Sequence, residues 1–120
     1  MSTTMNYSLY RLKDTEGNER RRFMASAYLQ ITGSWPPKPD DYEKIYEGTL
    51  TLRRIYNSGD ILDTLYTKFN LYQPEDFHHY SMSVGDIVIL TDTENPGAHF
   101  CDPIGFTEVL EFYAALTATN

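Results

Sequence analysis

The run Ile87-Val88-Ile89-Leu90 constrains most sharply what this chain can fold into. Four successive apolar residues, three of them β-branched, follow the turn-forming Ser83-Val84-Gly85-Asp86 and read as a short buried strand. Such a strand needs partners. Ala98-His99-Phe100-Cys101-Asp102, beyond a loop from Thr91 to Gly97, is expected to return beside it as an antiparallel hairpin. Tyr7 to Lys13 alternates and is rich in aromatics, which reads as a further strand. Glu43 to Leu52 is another. Tyr42, Lys44, Tyr46 and Gly48 face one way, Glu43, Ile45, Glu47 and Thr49 the other, with a bend expected at Gly48.

The clearest helix lies over Asp60–Asn70. Ile61, Leu62, Leu65, Tyr66 and Phe69 form one apolar stripe at helical spacing. Asn57 to Asp60 offers cap residues, Asp60 and Asp63 favour the positive end of the helix dipole, and Asn70 can close the last turn. Ala25 to Ile31 predicts a shorter helix ended by Thr32-Gly33. Phe106, Val109, Leu110, Tyr113 and Leu116 predict a C-terminal helix from Thr107. Asp14 to Asn18 is a turn by its chemistry, and Arg20 to Met24 then reads as a short strand paired with the first. Trp35-Pro36-Pro37-Lys38-Pro39 must be extended; it is either a stiff connection with Trp35 packed on the core or a polyproline ligand. The expected fold is α+β, a small mixed or antiparallel sheet of about four to five strands under a single layer of two to three helices. With 120 residues, one domain over 1–120 is expected, its ordered core spanning about 5–116.

Charge is placed unevenly. The net charge is −7, yet residues 1–60 carry nine Lys or Arg against eight acids, while residues 61–120 carry only Lys68 against nine. From Phe69 onward there is no Lys or Arg at all. An acidic surface repels phosphate backbones, so direct binding to DNA or RNA is not expected there, whereas a basic protein partner would be attracted. The plainer reading is a solubility device. Arg20, Arg21 and Arg22 are expected to neutralise Asp14, Glu16 and Glu19 rather than to form a nucleic-acid patch. The absence of a long apolar run or an N-terminal signal pattern predicts no membrane span and no secretion, and the lone Cys101 fits a reducing cytoplasm.

Most catalytic chemistries fail on residue pattern. No phosphate-binding glycine loop and no G-x-S-x-G elbow occurs. Cys101 and His99 share a strand face, but a reactive thiol needs an electropositive site, and Asp102 adjoins this one. His78, His79, His99 and Cys101 lack zinc-motif spacing, so no metal or other cofactor is expected, although whether they cluster in space is left open. Asp60 and Asp63 are read as helix-start residues, and Glu75 and Asp76 as loop residues beside Pro74. Ten tyrosines exceed what a small core needs, and exposed ones suit protein interfaces.

The order of segments carries a resemblance. An opening Tyr-x-x-Tyr-x-Leu strand precedes Tyr42-Glu43-Lys44-Ile45-Tyr46-Glu47-Gly48. Asp60 to Asn70 (ILDTLYTKFN at its core), Pro74 to Leu90 (PEDFHHYSMSVGDIVIL) and Cys101-Asp102-Pro103-Ile104-Gly105-Phe106 follow. Over roughly residues 5 to 113 the chain resembles the YodL-like domain, found in conjugative transposons, plasmids and phages of gut Firmicutes and often fused into larger proteins. The resemblance brings no catalytic residues. It implies a cytoplasmic accessory factor of a mobile genetic element.

The expected function is therefore a non-catalytic interaction module binding a basic protein partner through an acidic, Tyr-rich surface. The expected contact residues are Glu75, Asp76, Asp92, Glu94, Tyr72 and Tyr80. One alternative is an anti-defence inhibitor, of anti-CRISPR or anti-restriction type, occupying the basic groove of a host nuclease. Another is a small Cys/His enzyme. The oligomeric state is not legible.

Overall fold

Five strands pair into one antiparallel sheet in a computed structural model that describes residues 3–15, 18, 21–52, 58–78, 81–91 and 96–117. In chain order the elements are β1 (Thr3–Leu12), α1 (Ser26–Ile31), β2 (Tyr42–Leu52), α2 (Ser58–Leu71), β3 (Ile87–Leu90), β4 (Gly97–Cys101), β5 (Phe106–Glu108) and α3 (Leu110–Thr117). The spatial order is β2-β1-β3-β4-β5. The first strand thus lies inside the sheet, between β2 and β3, and β2 and β5 are its edges.

Period-two alternation along β1 and β3 divides the apolar residues between two cores. Met5, Tyr7, Leu9, Val88 and Leu90 join Ile61, Leu62, Leu65 and Phe69 of α2 on one face. Ile87, Ile89, Ala98 and Phe100 join Leu29 of α1 and Phe112 of α3 on the other. The continuous apolar run of β3 follows directly from this cover on both sides. The helices divide between the two faces rather than forming the single layer expected from sequence.

The α+β class, the β3–β4 hairpin, and strands and helices near the expected positions are all present. The stripe of α2 is buried as expected except at Tyr66, which is exposed. α2 begins at Ser58, and the cap candidate Asn57 lies outside the described residues; in the last turn the Asn70 side-chain amide donates to the Tyr66 carbonyl at 2.7 Å. Trp35 packs edge-on to Phe100, ring centroids 5.2 Å apart, which anchors the proline-rich connection to the second core.

Three local expectations are corrected. The described part of Arg20–Met24 is turn rather than strand, and Phe23 takes a positive φ of 63° that no strand residue adopts. Phe106 and Thr107 belong to β5, not to the last helix: Gly105 turns the chain at φ +72°, and Phe106 to Glu108 pair with Cys101 to His99. The irregularity of β2 lies at Ile45 rather than Gly48, because Leu9 pairs with Tyr46 but Tyr10 with Lys44. This bulge sends Tyr42 to one core and Tyr46 to the other, where strict alternation puts both on one side. Gly48 is required for a different reason. A Cβ there would stand 3.1 Å from both the Tyr46 ring and the Tyr7 hydroxyl oxygen, closer than side chains normally approach.

Candidate protein-interaction surface

The surface begins with four rings. Phe69 of α2 and Phe77 of the following loop stack edge-on at 4.8 Å, and Tyr46 of β2 meets them at 5.5 and 5.7 Å. Tyr7 of β1 closes the group against Phe69 at 5.9 Å. Each such pair contributes on the order of 1 kcal/mol beyond burial. Phe77 therefore pins the loop after α2 beside β2. The Tyr46 hydroxyl donates to Asp76 Oδ1 at 2.9 Å, which fixes this exposed carboxylate in one position. Burial pushes Tyr7 up to about 12, with Tyr46 and Asp76 adding to the shift. Tyr46 is raised by burial and by its bond to Asp76, so both phenols stay neutral.

Next to this anchored loop, Asp63, Thr64, Thr67, Lys68 and Tyr72 line a shallow groove of about 530 Å3 along the outer side of α2. Tyr72 is 74% exposed and Leu71 70%. Glu75 is exposed too. Of the expected contact residues, the structure thus gathers Tyr72, Glu75 and Asp76 in one segment. Tyr80, Asp92 and Glu94 lie outside the described residues. Tyr46, which carries the bond to Asp76, and the exposed Tyr66 are not among the residues expected from sequence. The exposed position of Tyr66 is readable only once the register of α2 against the sheet is known, and the bond from Tyr46 to Asp76 spans 30 residues.

Two acids of the C-terminal half serve inside the fold. Asp86 accepts from Arg11 Nε at 2.9 Å, Arg11 Nη2 at 2.6 Å and the Ser83 backbone N–H at 2.8 Å. Burial pushes its carboxyl above the ordinary value, and Arg11 and the Ser83 N–H oppose that rise. Asp102 accepts from the backbone N–H and the hydroxyl of Ser26, at 2.7 and 2.8 Å, and from the Thr107 hydroxyl. Since Ala25 at the start of α1 has no capping side chain, Asp102 supplies the acceptor for the first turn of this helix. On the N-terminal side Arg22 pairs with Asp14, as expected, and Arg21 with Asp41. Glu16, Glu19 and Arg20 lie outside the described residues.

Cys101 and His99 both stand on β4. Cys101 is 1% exposed, and burial, with Asp86 and Asp102 nearby, pushes its thiol up to about 12. His99 is also buried. Its Nε2 has no hydrogen-bond partner among the described residues, and burial lowers its pKa against an opposing effect of Glu108, its cross-strand neighbour. His78 is exposed, and His79 lies outside the described residues. Among the described residues no three His, Cys, Asp or Glu side chains gather as a metal site. No described helix is long and apolar enough to cross a membrane.

Sheet order, two-sided core and anchored loop define a small α+β domain with an antiparallel five-stranded sheet. Residues 6–112 match the YodL-like domain, so nearly the whole chain is this one unit and it belongs to the YodL-like domain family. No curated protein and no solved structure shows significant similarity to the chain.

Proposed function

We propose that this YodL-like domain is a non-catalytic interaction module of a mobile genetic element, and that it binds a basic protein through the loop after α2. The observation that carries the reading is the fixed carboxylate of Asp76, held by Tyr46 within a few residues of the exposed Leu71, Tyr72 and Glu75. A pre-positioned acid beside exposed aromatic and aliphatic surface supplies steering and an apolar anchor at once. No described Lys or Arg pairs with Glu75 or Asp76, so their charge stays available. The buried, weakly acidic thiol of Cys101 argues against the small-enzyme alternative. The single cysteine supports a cytoplasmic setting.

The partner in this reading is a basic surface, either on another protein of the element or in the groove of a host nuclease. Competition with nucleic acid separates the two. The test is affinity capture with wild type and with Glu75→Lys/Asp76→Lys, their folds compared by circular dichroism. A basic protein retained by wild type and lost by the variant is the expected result. Equal retention places the interface elsewhere and refutes the reading.

A further inference from the structure

β2 forms the edge of the sheet beside Asp76. β2 runs over Tyr42–Leu52 at the margin, and no described strand pairs with its outer side. Long edge strands are usually blunted by proline, lysine or a bulge, because every second residue offers an unpaired N–H and C=O to any extended chain. Here the guards are confined to one end, where the bulge at Ile45 and Lys44 lie together. Lys44 is engaged by Glu47 at 3.0 Å. From Tyr46 to Leu52 the pairing with β1 is regular, Tyr46 with Leu9 through Leu52 with Thr3, and the segment contains no proline.

The charges along this edge select the occupant. Glu43, Glu47 and Thr49 are exposed on the strand itself. Asp76 is tied to Tyr46 at the point where the regular stretch begins, and Glu75 adjoins it. Among the described residues Lys44 is the one base beside these four acids, and it is paired with Glu47; Arg53 and Arg54, which follow Leu52, lie outside the described residues. An added strand therefore lies along carboxylates, and lysine or arginine in that strand satisfies them while its backbone completes the ladder. A second copy of this chain, at net charge −7, brings like charge to the same place.

We infer that β2 accepts an extended, lysine- or arginine-bearing segment of a partner protein as a sixth strand along Tyr46–Leu52. This rests on the reading of a basic partner and specifies how that partner is held. The main chain supplies the ladder, and Glu75 and Asp76, with which no described Lys or Arg pairs, read the basic side chains.

A fluorescent seven-residue peptide of alternating lysine and threonine probes this directly. Its control is the same sequence N-methylated at every second residue, which keeps the charge and removes the ladder donors. The expected result is binding of the plain peptide, at least tenfold weaker binding of the methylated one, and slowed amide exchange within residues 47–51. Equal binding of both peptides overturns strand addition while leaving the acidic surface attractive to lysine. Binding of neither overturns it as well, and the basic-partner reading is then decided separately by the capture experiment with Glu75→Lys/Asp76→Lys. Concentration-dependent dimerisation of the protein, with the same amides protected and no peptide present, assigns the edge to a second copy and also overturns the inference.

Discussion

Arg11 on β1 and Asp86 at the entrance to β3 form a buried, two-point ion pair, Nε to Oδ1 at 2.9 Å and Nη2 to Oδ2 at 2.6 Å, across 75 positions of sequence. Arg11 also donates to the Ser81 carbonyl at 2.9 Å, so the turn before β3 is bound to the middle of the sheet. Removing one partner leaves the other charge buried without its counter-ion. Arg11→Met should therefore destabilise by about 3–5 kcal/mol. Arg11→Met combined with Asp86→Leu should recover a large part of that loss. Urea denaturation of the two variants checks this, and a double variant no more stable than Arg11→Met would contradict the argument.

Leu65 is wholly buried between α2 and the sheet. Leu65→Ala should cost about 2–5 kcal/mol, the transfer of the lost methyls plus the cavity left behind. Tyr66→Ala, one residue along on the exposed side, should change stability by no more than about 0.5 kcal/mol. Thermal or chemical denaturation reads both, and equal costs would misplace the helix face.

Cys101 should react slowly with thiol reagents at neutral pH in the native protein and rapidly once unfolded. Burial and the nearby carboxylates of Asp86 and Asp102 hold it as the thiol at about 12, and the thiolate is the reactive form. Fast labelling of the folded protein would show that the strand β4 opens readily.

His99 predicts a pH dependence of stability. Burial lowers its folded pKa below the unfolded value of about 6.5, so below that pH the unfolded chain takes up the proton first. The contribution to stability is complete above about 6.5 and falls with pH until the folded pKa is reached, at no more than about 1.4 kcal/mol per unit for one proton. The difference in slope between wild type and His99→Gln isolates this group. Glu108→Gln should extend the loss to lower pH, since Glu108 raises the His99 pKa.

No affinity for DNA or RNA at physiological salt is expected. Arg11, Arg21 and Arg22 each have a carboxylate partner, and the acids of the loop after α2 repel phosphate. A gel-shift titration checks this; a clear shift would mean that the arginines exchange their partners for phosphates.

The elements legible in sequence are those whose burial is written in a short window. Ile87 to Leu90 could only be an interior strand, and Ile61, Leu62, Leu65 and Phe69 only one side of a helix. β5 was not legible, because Phe106 and Val109 also stand at helical spacing. The open edge of β4 claims Phe106 to Glu108 through pairing that propensity does not encode. The bulge at Ile45 likewise hides which side Tyr42 and Tyr46 take. For the site, Tyr72, Glu75 and Asp76 were readable as an exposed loop rich in acid and aromatic. The charge surplus was overread, since Asp86 and Asp102 serve inside the fold. Which acids are consumed internally depends on partners 75 and 76 residues away, and no local pattern carries that distance.

The position of β1 also bears on how the chain is made. Tyr7 to Tyr10 must wait for Ile87 to Leu90 before their second ladder can close. On a ribosome, β1 and β2 emerge first and can form only a ribbon, with Met5, Tyr7, Leu9 and Leu50 uncovered until α2 follows. β3 begins about 35 residues after β2 ends, so the ladder to β3 closes only after a stage in which β1 and β2 stand as a two-stranded ribbon. Wherever this domain stands in a longer polypeptide, its folding is a late event, completed when the last third has cleared the exit tunnel.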